Sequence, residues 1–131
     1  MKFSSPQVNL YVDDLDGSRT FYEKLGFELK FTAEIEGKEV HHELRLDGFT
    51  LGIATKESTK QVHGLNPGKN SGSEMVLWTE DTDLAIQFLV ENGATMLSEP
   101  HDFLDKLRSG WVQDPDGNPI QIVSERKSDR L

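Results

Sequence analysis

The sequence predicts an α+β protein built from two tandem βαβββ modules, and three observations carry that prediction. The chain repeats itself: DDLDGSRTFYEKLGF (Asp13 to Phe27) aligns without a gap with EDTDLAIQFLVENGA (Glu80 to Ala94), matching Asp14 with Asp81, Asp16 with Asp83, Phe21 with Phe88 and Gly26 with Gly93. The offset is 67 residues (81 − 14), about half of the 131-residue chain. Each copy runs from a strand through an Asp suited to N-capping into one amphipathic helix that stops at a Gly. β-prone segments divided by turn signals follow each helix.

In the first strand Val8, Leu10 and Val12 form the apolar set that packs under a helix, which leaves Gln7, Asn9 and Tyr11 for the other face. The first helix is expected to bury Phe21, Tyr22 and Leu25. In LKFTAEI (Leu29 to Ile35) apolar residues alternate with Lys30, Thr32 and Glu34, the period of a half-buried strand, and Glu36-Gly37-Lys38 makes the turn. EVHHELRL (Glu39 to Leu46) and FTLGIA (Phe49 to Ala54) flank Asp47-Gly48, a strong two-residue hairpin signal. Pairing Leu46 with Phe49 and Leu44 with Leu51 sets Arg45 opposite Thr50, Glu43 opposite Gly52 and His41 opposite Ala54. His42 then shares the helix side with Leu44 as a partly buried structural histidine, while His41 points the other way.

The polar, Gly-, Ser- and Asn-rich stretch from Thr55 to Ser73 reads as a linker and a candidate mobile flap. In the second module Met75 and Leu77 face the helix and Glu74, Val76 and Trp78 the other side. Its helix is expected to bury Leu84, Phe88 and Leu89. SEPHDFLDKLRSG is irregular, with His101 solvated in it, as His63 is in the linker. The closing hairpin is clear: Asp114-Pro115-Asp116-Gly117-Asn118 fits a three-residue loop with Gly in the left-handed position, so that Gln113 pairs with Pro119, Val112 with Ile120 and Trp111 with Gln121. Gln121 thereby leaves the helix side to Ile120 and Ile122. The repeats span about residues 1–54 and 74–125 of a single domain, 1–131.

Composition removes several classes of function. Without cysteine there is neither a disulfide framework nor a thiolate metal site. No apolar run approaches the roughly 20 residues needed to span a bilayer, and no signal-peptide core stands at the N-terminus, so a cytoplasmic protein is expected. A formal net charge of -9 disfavours nucleic acid and anionic membranes and favours a neutral or cationic guest. No phosphate loop, nucleophile elbow or zinc motif occurs. The pairs Asp13/Asp14 and Asp114/Asp116 read as cap and turn residues.

Two such modules in tandem resemble the vicinal oxygen chelate superfamily, which includes glyoxalase I, extradiol dioxygenases and the fosfomycin and bleomycin resistance proteins. VNLYVDDLDGSRTFYEKLGFE (Val8 to Glu28) and WVQDPDGNPIQIV (Trp111 to Val123) are similar to its opening strand and helix and its closing hairpin. The resemblance implies a cupped mixed sheet with helices on the convex face, and a ligand site on the concave one. The strand faces opposite the helices then supply the ligand-binding candidates Gln7, Asn9, Tyr11, His41, Glu43, Arg45 and Gly52 from the first repeat and Glu74, Trp78, Trp111 and Gln121 from the second. Metal-using relatives draw ligands from four positions that map to Gln7, Gly52, Glu74 and Gln121. Gly52 offers no side chain and none of the four is histidine, so no metal cofactor is expected. Were a divalent ion bound, Glu43 would stand in for Gly52, with Gln7, Glu74 and Gln121. The type implied is a bleomycin resistance-like protein, tied to antibiotic resistance, that binds or sequesters a small cationic or aromatic molecule as a homodimer without metal. The alternatives are a metal-dependent lyase or isomerase of the glyoxalase I type and a partner-binding module with an empty cavity.

Overall fold

A computed structural model of the chain describes residues 1–2, 4–68 and 73–127. Its contacts separate two compact units, Met1–Gly68 and Lys69–Leu131, and the division falls within the polar stretch of sequence between the repeats.

The first unit runs β1 (Val8–Val12), α1 (Leu15–Lys24), β2 (Glu28–Ile35), β3 (Lys38–Leu46), β4 (Phe49–Thr55) and α2 (Lys56–His63). Its sheet has the order β1-β4-β3-β2. β1 is parallel to β4 and the other pairs are antiparallel. Asp14 caps α1, its carboxylate accepting the Gly17 amide at 3.1 Å, as the sequence predicts. Phe21 and Tyr22 are buried on the sheet side of the helix. Tyr22 meets Phe21 and Phe27 edge-on, with centroids 5.1 and 5.6 Å away. The Asp47-Gly48 turn has positive φ at both residues, 50° and 83°, the two-residue hairpin geometry that suits the strand twist. It fixes the expected register, with Arg45 opposite Thr50, Glu43 opposite Gly52 and His41 opposite Ala54.

The second unit repeats the plan with β5 (Met75–Trp78), α3 (Thr82–Glu91), β6 (Thr95–Phe103), β7 (Leu107–Gln113) and β8 (Pro119–Glu125), in the order β5-β8-β7-β6. Asp81 caps α3 by accepting the Leu84 amide at 3.1 Å. In the closing hairpin Gly117 has φ 86°. The buried Asp114 carboxylate gathers the amides of Asp116 and Asn118 at 2.9 and 2.8 Å and the Asn118 side chain at 3.0 Å, so the loop is tied from within. Trp111 pairs with Gln121 and Val112 with Ile120, as expected.

Three expectations need correction. The stretch after β4 is not a plain linker: α2 occupies Lys56–His63, capped by Thr55, whose hydroxyl accepts the Ser58 amide at 3.2 Å, and closed by Gly64 at φ 68°. A helix this polar buries only Thr59 and stands by its caps, which hydropathy does not register. Residues 69–72 of the candidate flap lie outside the described residues. In α3 the buried face belongs to Thr82, Ile86 and Leu89, while Leu84 and Phe88 are exposed. Ile86 takes the centre because Gly110 beneath it has no side chain: a Cβ there would collide with the end of Ile86 and lie 3.2 Å from the Ser98 carbonyl oxygen. In β2 the regular alternation fails at Lys30, where the ladder steps from Leu29↔Leu44 to Phe31↔Glu43. The extra residue leaves Leu29 beside buried Leu44 and turns Phe31 to the opposite face, 53% exposed.

Among the described residues no helix is long and apolar enough to cross a membrane.

Candidate functional site

Each sheet has one face under its helix and one face turned away, and the candidate residues lie on the latter. In the first unit a Cβ placed on Gly26, just after α1, would lie 3.5 Å from Leu46 Cδ1, which puts Leu46 on the helix side, so the alternate residues Arg45, Glu43 and His41 point away from the helix. Ladder pairing lays two rows across this face: Asn9, Gly52, Glu43 and Phe31, then Tyr11, Ala54, His41 and Ala33. The centre is an amide. The Asn9 side chain fills the space a residue at Gly52 would claim: a Cβ on Gly52 would overlap Asn9 Oδ1 and stand 3.1 Å from His41 Cε1. Gln7 Nε2 donates to that same Oδ1 at 2.8 Å. His41 Nε2 lies 3.7 Å from the Glu43 carboxylate. Arg45 is exposed at the rim, paired through its backbone with Glu28 and Thr50.

In the second unit Gly110 faces α3, so Trp111 points away from it, next to Gln121 in the ladder and in a row with Val76. The Trp111 indole N–H donates to Glu74 Oε2 at 3.2 Å. Its ring stacks on His101, 6.0 Å between centroids and 19° between planes. Gln121 donates to the buried Ser109 hydroxyl at 3.2 Å. Trp78 is 64% exposed at the end of β5 and is a surface aromatic.

Of the predicted residues, the first unit gathers Gln7, Asn9, Gly52, His41 and Glu43 around one point, with Tyr11 in the next row. The second gathers Glu74, Trp111 and Gln121. Sequence reasoning passed over two neighbours, Phe31 and His101. The bulge in β2 hides the first. The second sits in β6, whose register shifts between Met96 and Ser98 and again between Ser98 and His101, and no periodicity survives two such slips. A cleft of about 390 Å3 lies on the other side of the second unit, near the start of α3, between Asp83, Asp102 and Arg126. Arg108 crosses it, donating to Asp83 at 2.6 and 3.0 Å and to Asp102 at 3.1 Å. The Asp83 bonds raise the Arg108 pKa, and the Arg108 bond lowers that of Asp102.

The four positions that carry metal ligands in related folds do not make a donor set here. The ladder equates Gly52, opposite Asn9, with Gln121, opposite Val76. The first has no donor and its space holds an amide already bonded to Gln7; the second spends its amide N–H on Ser109. Glu74 is the one anionic group of the four, and it accepts from an indole. Neutral amides with a single carboxylate are a weak set for a divalent transition metal.

A sequence model of the Glyoxalase/Bleomycin resistance protein/Dioxygenase superfamily matches residues 4–122, and the chain belongs to this superfamily. An uncharacterized protein of Mycolicibacterium smegmatis is 32% identical over 120 residues, 92% of each chain. Among solved structures, a hypothetical protein from S. aureus superimposes with a TM-score of 0.80 at 19% identity, covering 95% of both chains. A superfamily member from Sphaerobacter thermophilus does so with a TM-score of 0.70 at 26% identity, over 94% of this chain and 98% of its own.

Proposed function

We propose that the protein binds, and so sequesters, a small aromatic or apolar molecule carrying positive charge, without a metal and as a homodimer, in the manner of bleomycin resistance proteins. The observation that carries this reading is the Trp111 platform: an indole held by Glu74 through its N–H and backed by His101, so that a flat ring and a carboxylate stand side by side. Aromatic faces attract cations, and the neighbouring carboxylate adds to that attraction. Glu43 beside Phe31 gives the first unit the same kind of pairing, an anion next to an exposed ring. The chain's charge of -9 favours the same guests.

A fluorescence titration with a panel of aromatic cations, neutral isosteres and anions tests it. Cationic guests are expected to quench tryptophan emission and to weaken as salt rises. Trp111→Ala removes the stacking surface and should cost on the order of 1 to 3 kcal/mol of affinity, and Glu74→Gln should weaken cations more than neutral isosteres. A panel in which anions bind best removes the reading. Metal bound to the parent chain and lost on Glu74→Ala would favour a metal-dependent lyase or isomerase instead. Sedimentation measures the dimer.

A further inference from the structure

On the helix side of the first sheet lies a second cluster that the proposed function does not use. His42 is fully buried in β3, yet among the described residues its Nε2 has no hydrogen-bond partner. That nitrogen points toward the surface, 3.8 Å from Glu39 Oε1, and together with a carboxylate oxygen of Asp16, in the first turn of α1, the three donor atoms lie within 4.8 Å of one another. The other ring nitrogen, Nδ1, is 2.8 Å from the Thr32 hydroxyl on β2. A hydroxyl that accepts from Nδ1–H leaves a lone pair on Nε2, the form of imidazole that binds metals. Burial lowers the His42 pKa, with the Arg19 charge acting in the same direction.

The geometry points to a divalent transition-metal site at His42, Glu39 and Asp16. One imidazole nitrogen and two carboxylates suit zinc or cobalt, and the imidazole disfavours magnesium and calcium. Ligands about 2.1 Å from an ion stand roughly 3 to 3.5 Å from each other, so closure requires the two exposed carboxylates to swing by about 1 Å while the buried histidine stays put. Water completes the shell on the exposed side. Donors from α1 and β3 meet there, so the ion clamps the helix to its sheet and takes no part in the opposite face. Arg19 is the nearby opposing charge, and Glu23 holds it at 3.3 Å.

Chelator-stripped full-length protein titrated with Zn2+ by calorimetry, and with Co2+ by visible absorption, tests the site. One equivalent per chain and a rise in Tm are expected. Thr32→Val, which keeps all three donors, should weaken binding about 10-fold, and Glu39→Gln and Asp16→Asn should each weaken it by more than that. His42→Ala removes a core side chain and is open to misfolding, so the two surface carboxylates decide the matter. Glu74→Ala should leave uptake unchanged. No uptake by the parent chain, or uptake undiminished in both carboxylate variants, overturns the site. Uptake abolished by Glu74→Ala moves the ion to the opposite face and overturns both this site and the metal-free function proposed above, whereas failure of the ligand panel alone touches only the latter.

Discussion

The two repeats share a ladder and differ in what stands on it. His42, opposite Ile53, and Gly110, opposite Ile122, occupy the same place under their helices. In the first unit that place holds a buried imidazole, with Arg19 and Asp16 of α1 near enough to act on its charge. In the second it is vacant of side chain, and Ile86, at the repeat position of Arg19, drops into the gap. On the other face Glu43 corresponds to Trp111 and Gly52 to Gln121. Duplication therefore preserved the Asp caps of the two helices and the register of the β3–β4 and β7–β8 hairpins, while the side chains standing on them diverged; a ladder specifies backbone geometry, and each rung accepts any side chain that its two faces can accommodate.

The largest test of this asymmetry concerns the helices. Phe21 is 3% exposed and its counterpart Phe88 47%. Phe21→Ala should cost about 3 to 5 kcal/mol of unfolding free energy in urea, and Phe88→Ala less than about 1. Equal losses would mean that both helices bury the same stripe. Next come the hairpins: Asp114→Ala strips three donors of their common acceptor and should cost about 2 to 3 kcal/mol. Asp47→Ala loses only a residue tolerant of positive φ, and about 1 kcal/mol is expected by the same measurement.

The glycines sharpen the contrast further. Gly110→Ala meets backbone as well as Ile86, and about 1 to 3 kcal/mol should be lost. Gly52→Ala meets the ends of the Asn9 and His41 side chains and should cost less than about 1 kcal/mol, a loss that an Asn9→Ala background reduces to the His41 contact if the Asn9 clash is its main cause. The smallest effect is acid-dependent. Arg108 depresses the Asp102 pKa, so this pair stabilises the fold above the ordinary carboxylate pKa of 3.8, and the contribution disappears as pH falls through the lower folded value. The stability difference between the parent and Asp102→Asn should therefore be level at neutral pH and shrink in acid. The first repeat carries buried Val40 at the Arg108 position and should show no counterpart.

Much of this was legible in the sequence because turn chemistry and strand alternation are local. Asp47-Gly48 and the loop around Asp114 set the register of both hairpins, and with it the sides taken by Glu43, Trp111 and Gln121. The internal repeat supplied the order of elements. What stayed hidden depended on partners distant in sequence. Nothing around Phe88 or Ile86 reveals that Gly110 will lie below α3 and choose between them. The contact of Asn9 with Gly52 joins residues from different strands, and so does the stacking of His101 on Trp111. α2 could have been found from Thr55, Ser58 and Gly64, which cap it, had its lack of apolar residues not been taken for lack of structure.

The bulge at Lys30 bears on how this chain can change length. Leu29 and Phe31 already pair with consecutive residues of β3, so removing the codon between them would leave every downstream partner where it is. Lys30 is exposed, and its side chain donates to Glu28 at 3.1 Å. A deletion, ordinarily the most disruptive of mutations in a strand, would here remove one of the two irregularities in the β2–β3 ladder, leaving the one between Ala33 and Glu34, and keep Phe31 on its present side, whereas the same deletion at Thr32 would turn the residues that follow it over. Descendants of this sequence are therefore free to be one residue shorter at this point and at few others in the sheet.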